Sequence, residues 1–265
     1  MTTRSNLRRR GEAVRRQLFG AVPGADAAAA TAGFDTLMTE LVYGSLWTRP
    51  GLAIGDRMLA TLSALCVTRQ MAPLRRHVAA ALSADVAPAA IVETLIQCGI
   101  YAGFSVSEEA LALARAVFAE RGLPMPAAAP RDDALEVLTQ RGQALMEALH
   151  EARRHDAHAA PDNPVTASLY PLVIQYCYGE IWDRPGLDRR TRALVAVAGF
   201  AALGHDGLLR KFARSALNVG ATESEVVETI IQIGPYAGFA FALKALTIAS
   251  EAFGRAPARD PASQA

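Results

Sequence analysis

A chain of 265 residues, 51% of them apolar, is long enough to build one large domain or two small ones around a sizeable core. Its 27 basic and 26 acidic residues leave a net charge of +1, so no whole-protein field draws in nucleic acid or an anionic membrane. No run approaches the roughly 18 apolar residues of a membrane helix, and the three cysteines (Cys66, Cys98, Cys177) lack CxxC spacing, against a disulfide framework or a zinc site.

The chain opens with MTTRSNLRRRGEAVRR, which is basic but has no apolar run behind it, so it does not read as a secretory signal. A reduced, cytoplasmic setting is the expectation. Beyond it, Met58, Leu59, Leu62, Leu65 and Cys66 recur at helical spacing, and Leu74, Val78, Ala81 and Leu82 mark a second amphipathic helix. A third helix begins near Pro88, a residue suited to the first helical position. The segment RGLPMPAAAPRDD, from Arg121, reads as a connection, and the final GRAPARDPASQA reads as disordered.

After the connection the pattern returns. YGSLWTRPGL at Tyr43 becomes YGEIWDRPGL at Tyr178, and between Tyr43–Phe118 and Tyr178–Phe253 there are 27 identities in 76 ungapped positions, at a constant offset of 135. Upstream the match continues with a small shift, RRGEAV near Gly11 against QRGQAL near Gly142. This is a duplicated domain rather than a short-period solenoid. The expected division is residues 8–120 for the first copy, 121–138 for the linker, 139–255 for the second copy and 256–265 for a tail. The third helix of the second copy starts TESE, with Thr222 and Glu225 spaced as a capping box. No strand alternation appears, so the fold class is all-α, two copies of a small helical bundle.

Polar residues on apolar faces carry the chemistry. Glu93, Gln97 and Tyr101 sit at i, i+4 and i+8 on one helix face, and Glu228, Gln232 and Tyr236 repeat that ladder. A carboxylate among apolar neighbours must be paired or hydrogen-bonded. One reading is a structural network, Glu held by a buried Arg57 or Arg192; the other is a site. His77 shares its inward face with Leu74 and Ala81, and the second copy has Phe212 there, which points to a pocket used once. Arg49 and Arg184 stand before Pro-Gly, and Arg is the natural fork for a carboxylate. Trp47 and Trp182 are expected to pack this turn against the bundle, Cys66 and Cys98 to be small core residues, and His205 to be exposed.

The string YGxxWxRPGLxxxxRxL, followed by LR, AL and an E…Q…YAGF helix, resembles the carboxymuconolactone decarboxylase family, which has the all-α alkylhydroperoxidase D-like fold. The resemblance covers most of the chain, once per copy. It implies a pseudo-dimer assembling as a homo-oligomer, a trimer with the outline of a hexamer. The peroxidase branch of that fold uses a CxxC pair; here Gln70 and Pro73, or His205 and Leu208, stand in its place. The decarboxylase branch has a His and a Glu at the positions of His77 and Glu93. The second copy lacks that His, and the first has ALSAD where the second has ALNVG.

These readings, with the resemblance, converge on a decarboxylase (a lyase) working without a cofactor or metal on an unsaturated carboxylated lactone or similar small acid. His77, Glu93, Arg57 and Tyr101 are the expected catalytic set, with His77 the proton donor and Glu93 orienting it. Arg49, Gln97, Trp47, Arg192, Glu228 and Tyr236 are the expected binding set. An isomerase or cyclase on the same scaffold, or a binding protein without activity, are the alternatives.

Overall fold

The computed structural model describes residues 3–20, 33–127, 131–151 and 163–255. The tail expected at 256–265 and part of the expected linker lie outside them. The described residues contain helices and no strands. In chain order the first half holds α1 (Arg4–Phe19), α2 (Met38–Leu46), α3 (Ile54–Val67), α4 (Met71–Ser83), α5 (Pro88–Ala102) and α6 (Phe104–Glu120). The second half repeats them as α7 (Leu135–His150), α8 (Val173–Tyr178), α9 (Arg189–Leu203), α10 (Asp206–Asn218), α11 (Glu223–Ala237) and α12 (Phe239–Ala252). No described helix is long and apolar enough to cross a membrane.

Each helix start has a local cause. Pro88 stands at the head of α5, and α11 opens on the Thr222–Glu225 capping box, with both reciprocal hydrogen bonds made. Asp188 caps α9 by accepting from the Thr191 amide. The YG half of the repeated decapeptide lies in α2 and at the end of α8, wide helices of the π type. Its glycines are there for contact: a Cβ on Gly44 would stand 2.2 Å from the Leu7 carbonyl oxygen, and one on Gly179 2.2 Å from that of Leu138. Backbone therefore lies on backbone where α1 crosses α2 and α7 crosses α8.

The centre of the molecule belongs to both copies. Helices α3 and α9 pack on each other, and each also packs on the other copy's third helix, α11 or α5. Met58, Leu62, Leu65, Ala196, Val197 and Ile230 are almost wholly buried in one continuous core. Cys66 and Cys98 lie in it too, and the neighbouring Cys98 thiol, together with burial, pushes the Cys66 thiol up. Thus neither half has a core complete without the other.

Candidate active site

The two polar ladders are exchanged between the copies. Glu228, on α11 of the second copy, accepts a two-pronged contact from Arg49 of the first (2.9 and 2.6 Å) and a further hydrogen bond from Arg57 at 2.9 Å. Gln232, one turn on, accepts from Arg57 and donates to Thr61. The reverse holds at the other end: Glu93 takes Arg184 at 3.0 Å and Arg192 at 2.9 Å, and Gln97 accepts from Arg192 and donates to its carbonyl. Arg57 and Arg192 are at most 1% exposed, so these are buried guanidinium–carboxylate pairs. Burial pushes the Glu228 carboxyl up, but the hydrogen bonds from Arg49 and Arg57 outweigh it and hold it below the usual range. The buried arginine of each copy also fixes its own RPG turn, Arg57 donating to the Arg49 and Pro50 carbonyls and Arg192 to the Arg184 carbonyl.

This exchange decides which residues meet. The ladder that reaches His77 is that of the second copy: the Tyr236 ring stands edge-on to the imidazole, with centroids 5.2 Å apart. Tyr101, at the end of the ladder that begins with Glu93, instead packs on Phe200 at 4.5 Å. Glu93 is thus engaged by Arg184 and Arg192, while the neighbours of His77 are Phe19, at 5.4 Å, and Tyr236. The family resemblance groups His77 with Glu93; the packing groups it with Tyr236.

His77 is only 4% exposed. Its Nδ1 lies 2.9 Å from the Pro73 carbonyl, which only accepts, so Nδ1 carries the proton of the neutral ring. Nε2 then holds a bare lone pair, and it has no hydrogen-bond partner. Burial pushes the pKa down to about 4, so the ring is neutral at pH 7. Around it, Trp47 donates its indole N–H to the Tyr236 hydroxyl at 2.8 Å, and Thr61 lies within hydrogen-bond reach of the same hydroxyl. Tyr43 stacks near Trp47, and the Arg15 guanidinium lies 5.6 Å from the centre of the Tyr43 ring. Burial raises both tyrosines, Tyr236 well above the ordinary value, so both are protonated donors at neutral pH.

Two residues escape the sequence reading. Arg76, adjacent to His77, is exposed and forms no ion pair among the described residues, and its positive charge bears on His77, Tyr43 and Tyr236. It hides in sequence as one of two consecutive arginines. The second is His150, at the end of α7. It is 3% exposed, with Nδ1 2.7 Å from the Ser215 hydroxyl and Nε2 2.9 Å from the Tyr178 hydroxyl. The shifted match at Gly11 and Gly142, carried eight residues further, sets His150 opposite Phe19 and is the signal that reveals it. His205 is exposed, as expected. Among the described residues no group of three or more His, Cys, Asp or Glu converges as a metal site.

Comparison with known proteins agrees with this doubled arrangement. The chain is 39% identical over 91 residues to the 4-carboxymuconolactone decarboxylase of Acinetobacter baylyi, covering 34% of this chain and 68% of that protein. It is 30% identical over 118 residues to an uncharacterised 15.0 kDa protein of Paracoccus denitrificans, covering 44% and 87%. It is 32% identical over 88 residues to a nitrosuccinic acid decarboxylase of Metarhizium robertsii, covering 32% and 59%. The profile of one family matches twice, at residues 32–116 and 167–251, spanning the arginine turn and the polar ladder each time. The chain belongs to the carboxymuconolactone decarboxylase family, with the family's unit present in two copies.

Proposed function

We propose that the protein is a decarboxylase of a small unsaturated carboxylic acid, working without a cofactor in the pocket around His77. One observation carries the reading: a buried neutral imidazole whose Nδ1 is tied to its own helix while Nε2 is bare, beside two protonated tyrosines and an arginine with no ion pair among the described residues. The two relatives named as decarboxylases act, by their names, on 4-carboxymuconolactone and on nitrosuccinic acid. In each a carboxyl group accompanies an electron-withdrawing group that can accept the electron pair left when CO2 departs.

The roles follow from what is free. Arg49 and Arg57 are engaged by Glu228, so in this reading they are the frame of the site and Arg76 holds the substrate carboxylate. The bound anion favours the imidazolium, against the effect of burial, and Nε2 takes up a proton. Cleavage of the carbon–carboxyl bond leaves its electron pair on the conjugated system, where the hydroxyls of Tyr236 and Tyr43 stabilise the developing oxyanion. The imidazolium, made strongly acidic by the dry pocket, then protonates carbon and returns to its neutral form. Glu93, Gln97, Arg184 and Arg192 serve the corresponding frame at the other end of the molecule.

The test is incubation with 4-carboxymuconolactone and a panel of unsaturated acids, following CO2 and product mass together. CO2 release that disappears in His77→Ala is the expected result. Full turnover in His77→Ala overturns the assignment, and a product of unchanged mass moves the reaction to an isomerase or cyclase.

We also propose that the chain forms a homo-oligomer, in a trimer of pseudo-dimers. The support is a pair of exposed apolar stripes at equivalent positions of the two copies, Phe34, Leu37 and Leu41 in one and Leu169, Leu172 and Tyr176 in the other. Native mass spectrometry tests it, and a monomer at micromolar concentration overturns it.

A further inference from the structure

The two copies present the same pocket with its histidine on opposite walls. Gly11 and Gly142 fix the register of the first helices, since a Cβ on either would strike the carbonyl oxygen of an equivalent residue, Thr39 at 2.0 Å or Ile174 at 2.1 Å. Eight residues on, Phe19 of α1 therefore corresponds to His150 of α7, while His77 of α4 corresponds to Phe212 of α10. In the first copy Phe19 meets His77 edge-on at 5.4 Å; in the second His150 meets Phe212 edge-on at 5.2 Å. The aromatic pair is kept and its members have exchanged places.

The exchange alters which groups are free. Ser215 donates to the Lys211 carbonyl at 2.9 Å, so it accepts from Nδ1 of His150, and Nε2 must then accept from the Tyr178 hydroxyl. No lone pair of this imidazole is left, in contrast to Nε2 of His77. Further aromatic rings stand around it. Phe200 stands where the first copy has Leu65, and it packs on Tyr101 at 4.5 Å and Phe212 at 5.0 Å, with Trp182 also 5.9 Å from Phe212.

We infer that the chain carries one working pocket, at His77, and that the second has become a sealed aromatic core whose histidine is structural. The second copy contributes instead by lending Glu228, Gln232 and Tyr236 to the first pocket. The inference rests on the proposed function only in naming the His77 pocket as the working one. A small carboxylated ligand thus binds once per chain.

Diethyl pyrocarbonate provides a test independent of turnover, because it acylates a bare imidazole nitrogen with release of ethanol and CO2. Peptide mapping of the native full-length protein should show exposed His205 reacting faster than either buried histidine, and His77 reacting roughly tenfold or more faster than His150, whose nitrogens are released only by local opening. Equal reactivity, or equal protection, of His77 and His150 overturns the inference. The triple variant His150→Phe, Phe212→His, Phe200→Leu rebuilds the residue set of the first pocket in the second. It should become reactive at position 212; a variant with native circular dichroism that stays inert there shows that these residues are not the seal. A failed decarboxylase assay leaves this experiment intact, and the converse holds.

Discussion

The two ends of this molecule share a frame and differ in what fills it. Each has a Trp-x-Arg-Pro-Gly turn, a buried arginine, and a Glu–Gln–Tyr ladder arriving from the other copy. One end closes around an imidazole with a bare nitrogen; the other closes around three phenylalanine or tryptophan rings and a fully hydrogen-bonded histidine. Buried arginine–glutamate pairs hold the geometry, and this leaves the pocket residues free to diverge.

The comparison breaks first at the histidines. His77→Ala should lower kcat by roughly 10²–10⁴, the span that general acid–base groups supply, while His150→Phe should leave kcat within a few-fold. Steady-state CO2 release decides; comparable losses in both would mean two working sites. The frame should behave in the opposite way. Glu228→Ala and Glu93→Ala each strand a buried arginine, Arg57 or Arg192, and should each cost about 3–5 kcal/mol in urea unfolding. Only Glu228→Ala should also slow turnover, because its ladder ends at Tyr236.

Acid sharpens the contrast further. Both histidines have folded-state values below the ordinary 6.5, about 4 for His77 and about 3 for His150. The unfolded chain therefore binds more protons in that window. Their stabilisation is fully present above the unfolded value and is lost as pH falls toward the folded ones, roughly 2 kcal/mol for each residue between pH 7 and pH 5. His150→Phe should remove about half of this histidine-dependent acid slope. The smallest effect is expected at the tryptophans. Trp47→Phe loses the N–H donated to Tyr236, whereas Tyr101 receives its hydrogen bond from Gln97. Trp47→Phe should be the costlier of the two by about 1 kcal/mol, read from urea midpoints.

Much of this could be read from the sequence, and the limits of that reading are physical. Helical spacing placed Leu62, Leu74 and His77 inward, because burial of one face is what makes the period of 3.6 residues visible. The Thr222–Glu225 box marked the start of α11 because capping is local. Pairing across copies was not legible: spacing says which face Glu93 occupies but not which arginine lies opposite, and two equivalent arginines were on offer. Arg57 and Arg49 carried two readings, clamps for a substrate carboxylate or partners of a buried glutamate, and in the structure they hold Glu228. His150 stayed hidden because the repeat offset slips by four residues in the first helix, so a constant offset of 135 sets it against Arg15 rather than Phe19.

The exchanged ladders also bear on what duplication permits. In a dimer of identical chains every substitution occurs twice, once at each end of the symmetry axis, so an improvement at one pocket is imposed on the other. Joining the units in one chain lifts that obligation while keeping the partner at the high effective concentration of an intramolecular contact. Each half still needs the other to neutralise its buried charges, so the halves are selected to stay together but not to stay alike. A histidine facing one pocket and a phenylalanine facing the other is a difference that a dimer of identical chains cannot hold.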